Sequence, residues 1–329
     1  MGNIRLTVAT GDYDHLRDFT SGEVKAEGID ITHLKLHVLE IFHRFTQFRE
    51  FDVSEMSMGR HISLVSQGKA DHVAIPVFPS RVFRLSAFYI RSDGKVKRPE
   101  DLAGKKVGVP EWAQTATIYG RGWLSDYIGV DLKSIQWFQA GQDDPGRVEP
   151  VALHLPPGLK VTPVPDRSLN DMLLAGDIDA LIAAYPPGAF RQRNPKIARL
   201  VADAREAEMK YWDDTGIFPI MHTIVIRREV CAANPWVPMS LFKAFDKAKN
   251  NSLARAGSFG GSLYPLPMHG YWADEARKRL GEDFWPYGVE ASRKTLEAFA
   301  KFAHDQGVAH RLVAPDELFA PQVANPYRV

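Results

Sequence analysis

Phe218-Pro219-Ile220-Met221-His222-Thr223-Ile224-Val225-Ile226 is the stretch on which the fold turns. Its last four residues are β-branched, the composition of a strand buried in a sheet. It stands between two unlike regions. Ahead of it, short apolar runs predict strands at 4–9, 31–35, 52–57, 73–77, 106–109, 135–138 and 180–184, and longer patterns predict helices at 38–48, 59–67, 115–127 and 168–175. Such alternation is the mark of βαβ units around mainly parallel sheets. Behind it the chain reads as mostly helical, with patterns at 236–250, 273–279 and 291–304.

A strand that returns so late needs an earlier strand that left, and Phe88-Tyr89-Ile90-Arg91 supplies it. The expected organisation is a discontinuous first lobe, 1–88 and 225–329, with a second lobe, 89–224, inserted. Double crossings act as hinges, and loops after the strands gather in the cleft between the lobes. The predicted class is therefore two-lobed α/β, with mixed, mainly parallel sheets.

Composition narrows the partners. The 329 residues suit two domains. Lys and Arg number 41 against 40 Asp and Glu, a net charge of +1, so no long-range field recruits nucleic acid or an anionic membrane. No run approaches the roughly 18 apolar residues of a membrane span. Anion binding must come from locally placed groups. Met1-Gly2-Asn3 leads straight into the first strand without a basic, then apolar, leader, and Cys231 is the only cysteine, so a cytoplasmic location is expected. There is no G-x-G-x-x-G, P-loop, G-x-S-x-G, H-E-x-x-H or C-x-x-C, which removes the usual support for nucleotide, serine-hydrolase and zinc readings. No cofactor is expected and no ligand spacing calls for a metal; a homo-oligomer stays open.

Polar groups on loops after the predicted strands are the candidates. Asp12 and Tyr13, in Gly11-Asp12-Tyr13-Asp14, can orient a hydroxylated ligand or merely form a turn. In Ser54-Glu55-Met56-Ser57, Ser57 opens a helix whose start favours a ligand carboxylate, and Glu55 among apolar neighbours is expected to have a raised pKa. Pro76-Val77-Phe78-Pro79-Ser80-Arg81 stiffens the approach to Arg81, whose guanidinium fork matches a carboxylate, with Arg84 close behind. In the second lobe, Glu111, Gln114 and Thr115 precede or open a helix and make a facing anion seat; Arg121 lies deeper along it. His222, at the return crossing, is the histidine best placed for proton transfer.

These loops together resemble the 4,5-dihydroxyphthalate decarboxylase family, of the type II periplasmic-binding-protein-like fold. The resemblance is carried in order by Gly11-Asp12-Tyr13-Asp14, Phe51-Asp52-Val53-Ser54-Glu55-Met56-Ser57, 76–84, 101–115, Pro145-Gly146-Arg147-Val148-Glu149, 215–223 and Trp285-Pro286-Tyr287-Gly288. It implies a small aromatic substrate with adjacent carboxylates, one lost as carbon dioxide. Arg81 and the Thr115 helix start would then hold the carboxylates, with Arg147 as a further candidate, and His222 or Glu55 would move protons. One departure concerns Ala184-Tyr185-Pro186-Pro187-Gly188: relatives carry a basic residue near Tyr185, so this chain's aromatic acid can differ, and Tyr185 can bond a ligand hydroxyl instead. Two rival readings share the fold: a solute-binding protein for an organic anion, and another enzyme on the same scaffold.

Overall fold

The predicted alternation builds two mixed sheets. The computed structural model describes residues 2–261 and 263–324. β1 (Ile4–Thr10), β2 (Ile29–Lys35), β3 (Val53–Ser57) and β4 (His72–Ile75) come first, with helices Val38–Phe48 and Met58–Ser66 on either side of β3. Then follow β5 (Phe88–Arg91), β6 (Lys106–Val109), β7 (Gln136–Gly141), β8 (Val161–Ser168), β9 (Ala180–Ile182) and β10 (Ile197–Arg199), and finally β11 (His222–Arg227). The first sheet has the order β2-β1-β3-β11-β4 and the second β10-β5-β9-β6-β7-β8. β11 returns to the first sheet, antiparallel to both β3 and β4. Ile224, Val225 and Ile226 have no solvent exposure there, and full burial of such a side chain is worth about 1.5–3 kcal/mol.

Several short helices escaped the sequence reading, and so did three further elements, each for a physical reason. β8 contains Pro163 and Pro165, which argue against an interior strand; it lies at the sheet edge, where a missing N–H is tolerated. β10 is a three-residue strand at the opposite edge. Helix Ala204–Thr215 buries only Ala204 and Tyr211, so it has no apolar stripe to read.

The C-terminal helices do more than cover the first sheet. Val237–Ala256 packs on the short helical segments that follow β1, with Phe19 and Phe245 rings 4.2 Å apart. Helix Val289–Asp305 touches Met58–Ser66 and also lies along Thr115–Gly122 of the inserted segment. Tyr119 stacks on Phe299 at 5.0 Å, and Gln306 donates to the Ile118 carbonyl at 3.0 Å. A single buried cluster thus runs from Val8 and Val53 through Val109 and Ile118 to Phe299 and Phe302.

Candidate active site

One face of the β3–β11 pair carries the reactive groups. Glu55 and Ser57 are two residues apart on β3 and share a face; His222 lies opposite Ser57 and Ile224 opposite Glu55. His222 therefore reaches diagonally to Glu55, Nδ1 to Oε1, at 2.6 Å. Tyr13 donates its hydroxyl to the same oxygen at 2.7 Å, and the Gly11 amide donates to Oε2 at 2.8 Å. A Cβ at Gly11 would meet the Tyr13 ring at 2.8 Å and press it away from its place against Glu55.

Glu55 has no solvent exposure and lies behind His222, outside the cavity wall. Burial alone would raise its carboxyl, as the sequence led us to expect. The hydrogen bonds from His222, Gly11 and Tyr13 outweigh burial and hold it below the usual carboxylate range. Burial and the Glu55 charge push the Tyr13 phenol far up, so it remains a donor. With Nδ1 directed at a carboxylate, the imidazole turns Nε2 away from it, and Nε2 has no protein partner among the described residues. Phe42 meets the ring edge-on at 5.0 Å.

The second wall is the turn from β6 into helix Thr115–Gly122. Glu149 accepts hydrogen bonds from the Trp112 and Ala113 amides at 2.5 and 3.3 Å, fixing the turn from one side. Burial, then neighbouring Glu111, pushes the Glu149 carboxyl up to about 7, against the two amides and Arg121. Arg121 fixes the turn from behind: its guanidinium lies 3.6 Å over the Trp112 ring and donates to the Trp112 carbonyl and to Gln306. The two walls meet where Ser57 Oγ lies 2.9 Å from Thr115 Oγ1, which also accepts from the Gly59 amide at 2.9 Å. Neither helix start is capped by the side chain of its own N-cap residue, Ser57 or Gln114.

Between the walls is a cavity of about 610 Å³. Of the expected residues, Tyr13, Ser57, Glu111, Gln114, Thr115, Arg147, Tyr185 and His222 line it. Glu111 is paired with Arg147 at 2.5 Å, and Gln114 accepts from the Ala184 amide at 3.1 Å. Others fall elsewhere. Arg81 is buried away from the cavity; it donates to the Phe218 and Pro286 carbonyls and to Ser292 Oγ at 3.1, 2.7 and 2.6 Å, because its rigid loop aims it into the C-terminal layer. Arg121 is fully buried under Trp112. Asp12 points to solvent and pairs with Lys35 at 3.1 Å, since the turn that brings Tyr13 inward sends its neighbour outward.

Residues that sequence reasoning passed over or ranked low complete the wall. Arg84 lines the cavity, donating to the Ala184 carbonyl at 3.0 Å, and burial lowers its pKa to about 10. Arg60 lines it from the first turn of helix Met58–Ser66. A cation in a first turn opposes the helix dipole, and that is the signal that could have marked it. Ser80, Phe42, His43 and Met221 contribute as well. Among the described residues, no three His, Cys, Asp or Glu side chains converge as metal ligands, and no helix is long and apolar enough to cross a membrane.

A 4,5-dihydroxyphthalate decarboxylase of Comamonas testosteroni is 33% identical over 330 residues, spanning 100% of both chains. One of Pseudomonas putida is 33% identical over 213 residues, 64% of this chain and 83% of that one. No family model matches. Among solved structures, the periplasmic aliphatic sulphonate binding protein of Escherichia coli shares the fold: TM-score 0.54, 12% identity, 97% of this chain and 98% of that one. A protein of Archaeoglobus fulgidus matches with TM-score 0.50 and 12% identity over 92% of this chain and 98% of its own.

Proposed function

The chain belongs to the 4,5-dihydroxyphthalate decarboxylase family, and from that premise we propose that its cleft removes one carboxylate, as carbon dioxide, from a dihydroxylated aromatic dicarboxylate such as 4,5-dihydroxyphthalate, giving protocatechuate. The observation that carries this reading is the 2.6 Å contact of His222 with a buried, ionised Glu55, which orients the ring and leaves Nε2 to the cavity. A carboxylate-oriented imidazole beside the bound ring suits proton delivery.

The reaction replaces a C–CO₂⁻ bond by C–H. The hydroxyl para to the departing group pushes electron density to that ring carbon, which takes the proton from His222 Nε2. The carbon–carbon bond then breaks, carbon dioxide leaves, and the ring regains its aromaticity. Glu55 fixes the orientation of His222, a positioning role through the ring rather than through substrate. The guanidinium groups of Arg84 and Arg147 suit a dianionic ligand. Tyr185, nearly half exposed at the cavity rim, suits a ring hydroxyl. Phe42, Leu39, Met56 and Met221 give the ring an apolar bed. Closure of lobe 89–224 against 1–88 and 225–329 would exclude water and strengthen each charge contact.

The test is incubation of the purified protein with 4,5-dihydroxyphthalate, following protocatechuate by chromatography and released carbon dioxide by mass spectrometry. Both products are expected in equal amounts. Tight binding without either product would overturn catalysis and leave the solute-binding reading, which shares the fold.

A further inference from the structure

Three guanidinium groups line the cavity, and they are not equivalent. Arg147 is already neutralised by Glu111, through contacts of 2.5 and 2.7 Å. Arg84 donates to the Ala184 carbonyl and lies 3.1 Å from the Met221 sulfur. Arg60 has no protein partner for any of its nitrogens among the described residues, and its Nε is sealed from solvent. A buried donor left unpaired is costly, more so when charged.

Its position sharpens the contrast. Arg60 sits in the first turn of Met58–Ser66, where the helix dipole disfavours a cation and favours an anion. The start of Thr115–Gly122, a second helix N-terminus, meets this one through Ser57 and Thr115. Burial lowers the Arg60 pKa, and of the surrounding carboxylates only Glu111 and Asp71 oppose it, each engaged with its own arginine. Everything around Arg60 calls for a carboxylate from outside the chain.

An aromatic dicarboxylate brings two. The carboxylate that departs loses its charge on the way to carbon dioxide, so a cation gripping it stabilises the ground state more than the transition state. The carboxylate that stays keeps its charge throughout, and a cation there orients the ring without taxing the reaction. We infer that Arg60 is the seat of the carboxylate that the substrate keeps, a binding and specificity residue shared by substrate and product. The inference rests on the proposed decarboxylation for the distinction between the two carboxylates.

The experiment measures binding rather than turnover. Calorimetric titration of wild type, Arg60→Gln and Arg60→Lys is run with phthalate, an unreactive dicarboxylate, and with protocatechuate, which carries only the retained carboxylate. Loss of a charge-assisted bidentate contact should weaken both ligands by roughly 10–100-fold in Arg60→Gln. Arg60→Lys should recover part of that loss. Ligand-free Arg60→Gln should melt no lower than wild type, because the charge it removes has no partner. Unchanged protocatechuate affinity with weakened phthalate would place Arg60 on the departing carboxylate and overturn the inference. Unchanged binding of both, or no binding of either by wild type, would overturn it too. Binding that depends on Arg60 in a protein that releases no carbon dioxide would keep the anion seat and sink the decarboxylation instead.

Discussion

His222 Nδ1 lies 2.6 Å from Glu55 Oε1, across two antiparallel strands that sit far apart in the sequence. Glu55 is ionised and fully enclosed, and its contact orients the imidazole, which lines the cavity. His222→Gln keeps a polar group of similar reach and removes the transferable proton. We expect kcat to fall by roughly 10²–10⁴ with KM changed only a few-fold. Steady-state kinetics on 4,5-dihydroxyphthalate decides it; equal losses in affinity would assign His222 to binding alone.

Glu149 makes stability depend on pH. Its folded pKa, pushed up to about 7, lies above the ordinary 4.5 of the unfolded chain. Between those values the folded state holds more protons than the unfolded one. Its contribution is therefore fully present below pH 4.5 and is lost as pH rises through about 7. Melting temperatures measured across pH 5–8 should fall more in wild type than in Glu149→Gln, which keeps an acceptor for the Trp112 amide without the charge. Parallel curves would remove Glu149 as the cause.

Arg81 should prove a strut. Arg81→Leu removes the shared donor of the Phe218 and Pro286 carbonyls and Ser292 Oγ, leaving the latter two only their own 3.5 Å contact, at about 1–3 kcal/mol for a buried group left unpaired. Chemical denaturation should show a loss of about 3 kcal/mol or more. The fraction that folds should bind ligand as wild type does. A selective loss of affinity at full stability would return Arg81 to the site.

Gly59 permits the two walls to meet. A Cβ at this position would lie 2.1 Å from the Ala113 carbonyl oxygen, an impossible approach to a backbone atom. Gly59→Ala should hold the cleft open, raising KM at least tenfold and enlarging the radius seen by small-angle scattering, although alanine is the better helix former by about 1 kcal/mol. Wild-type kinetics in this variant would show that the contact is dispensable.

By itself the sequence determined the architecture. Its apolar periods are local, and they sufficed for most of the strand–helix order, though not for Val161–Ser168, Ile197–Arg199 or Ala204–Thr215, and for the return of the chain at His222. Tyr13, Thr115, Tyr185 and His222 were legible because each follows or opens a strand or helix whose end faces the cleft. Direction was not legible. Arg81 and Arg84 are three residues apart on one loop, yet one is spent on C-terminal carbonyls and the other lines the cavity. Glu55 looked like a carboxyl forced to hold its proton, until Gly11 and Tyr13 from the turn after β1 and His222 from β11 paired it. Arg60 gained significance only when its neighbours proved to be engaged elsewhere. Charge state and orientation depend on partners brought together by packing, and only the tertiary structure supplies them.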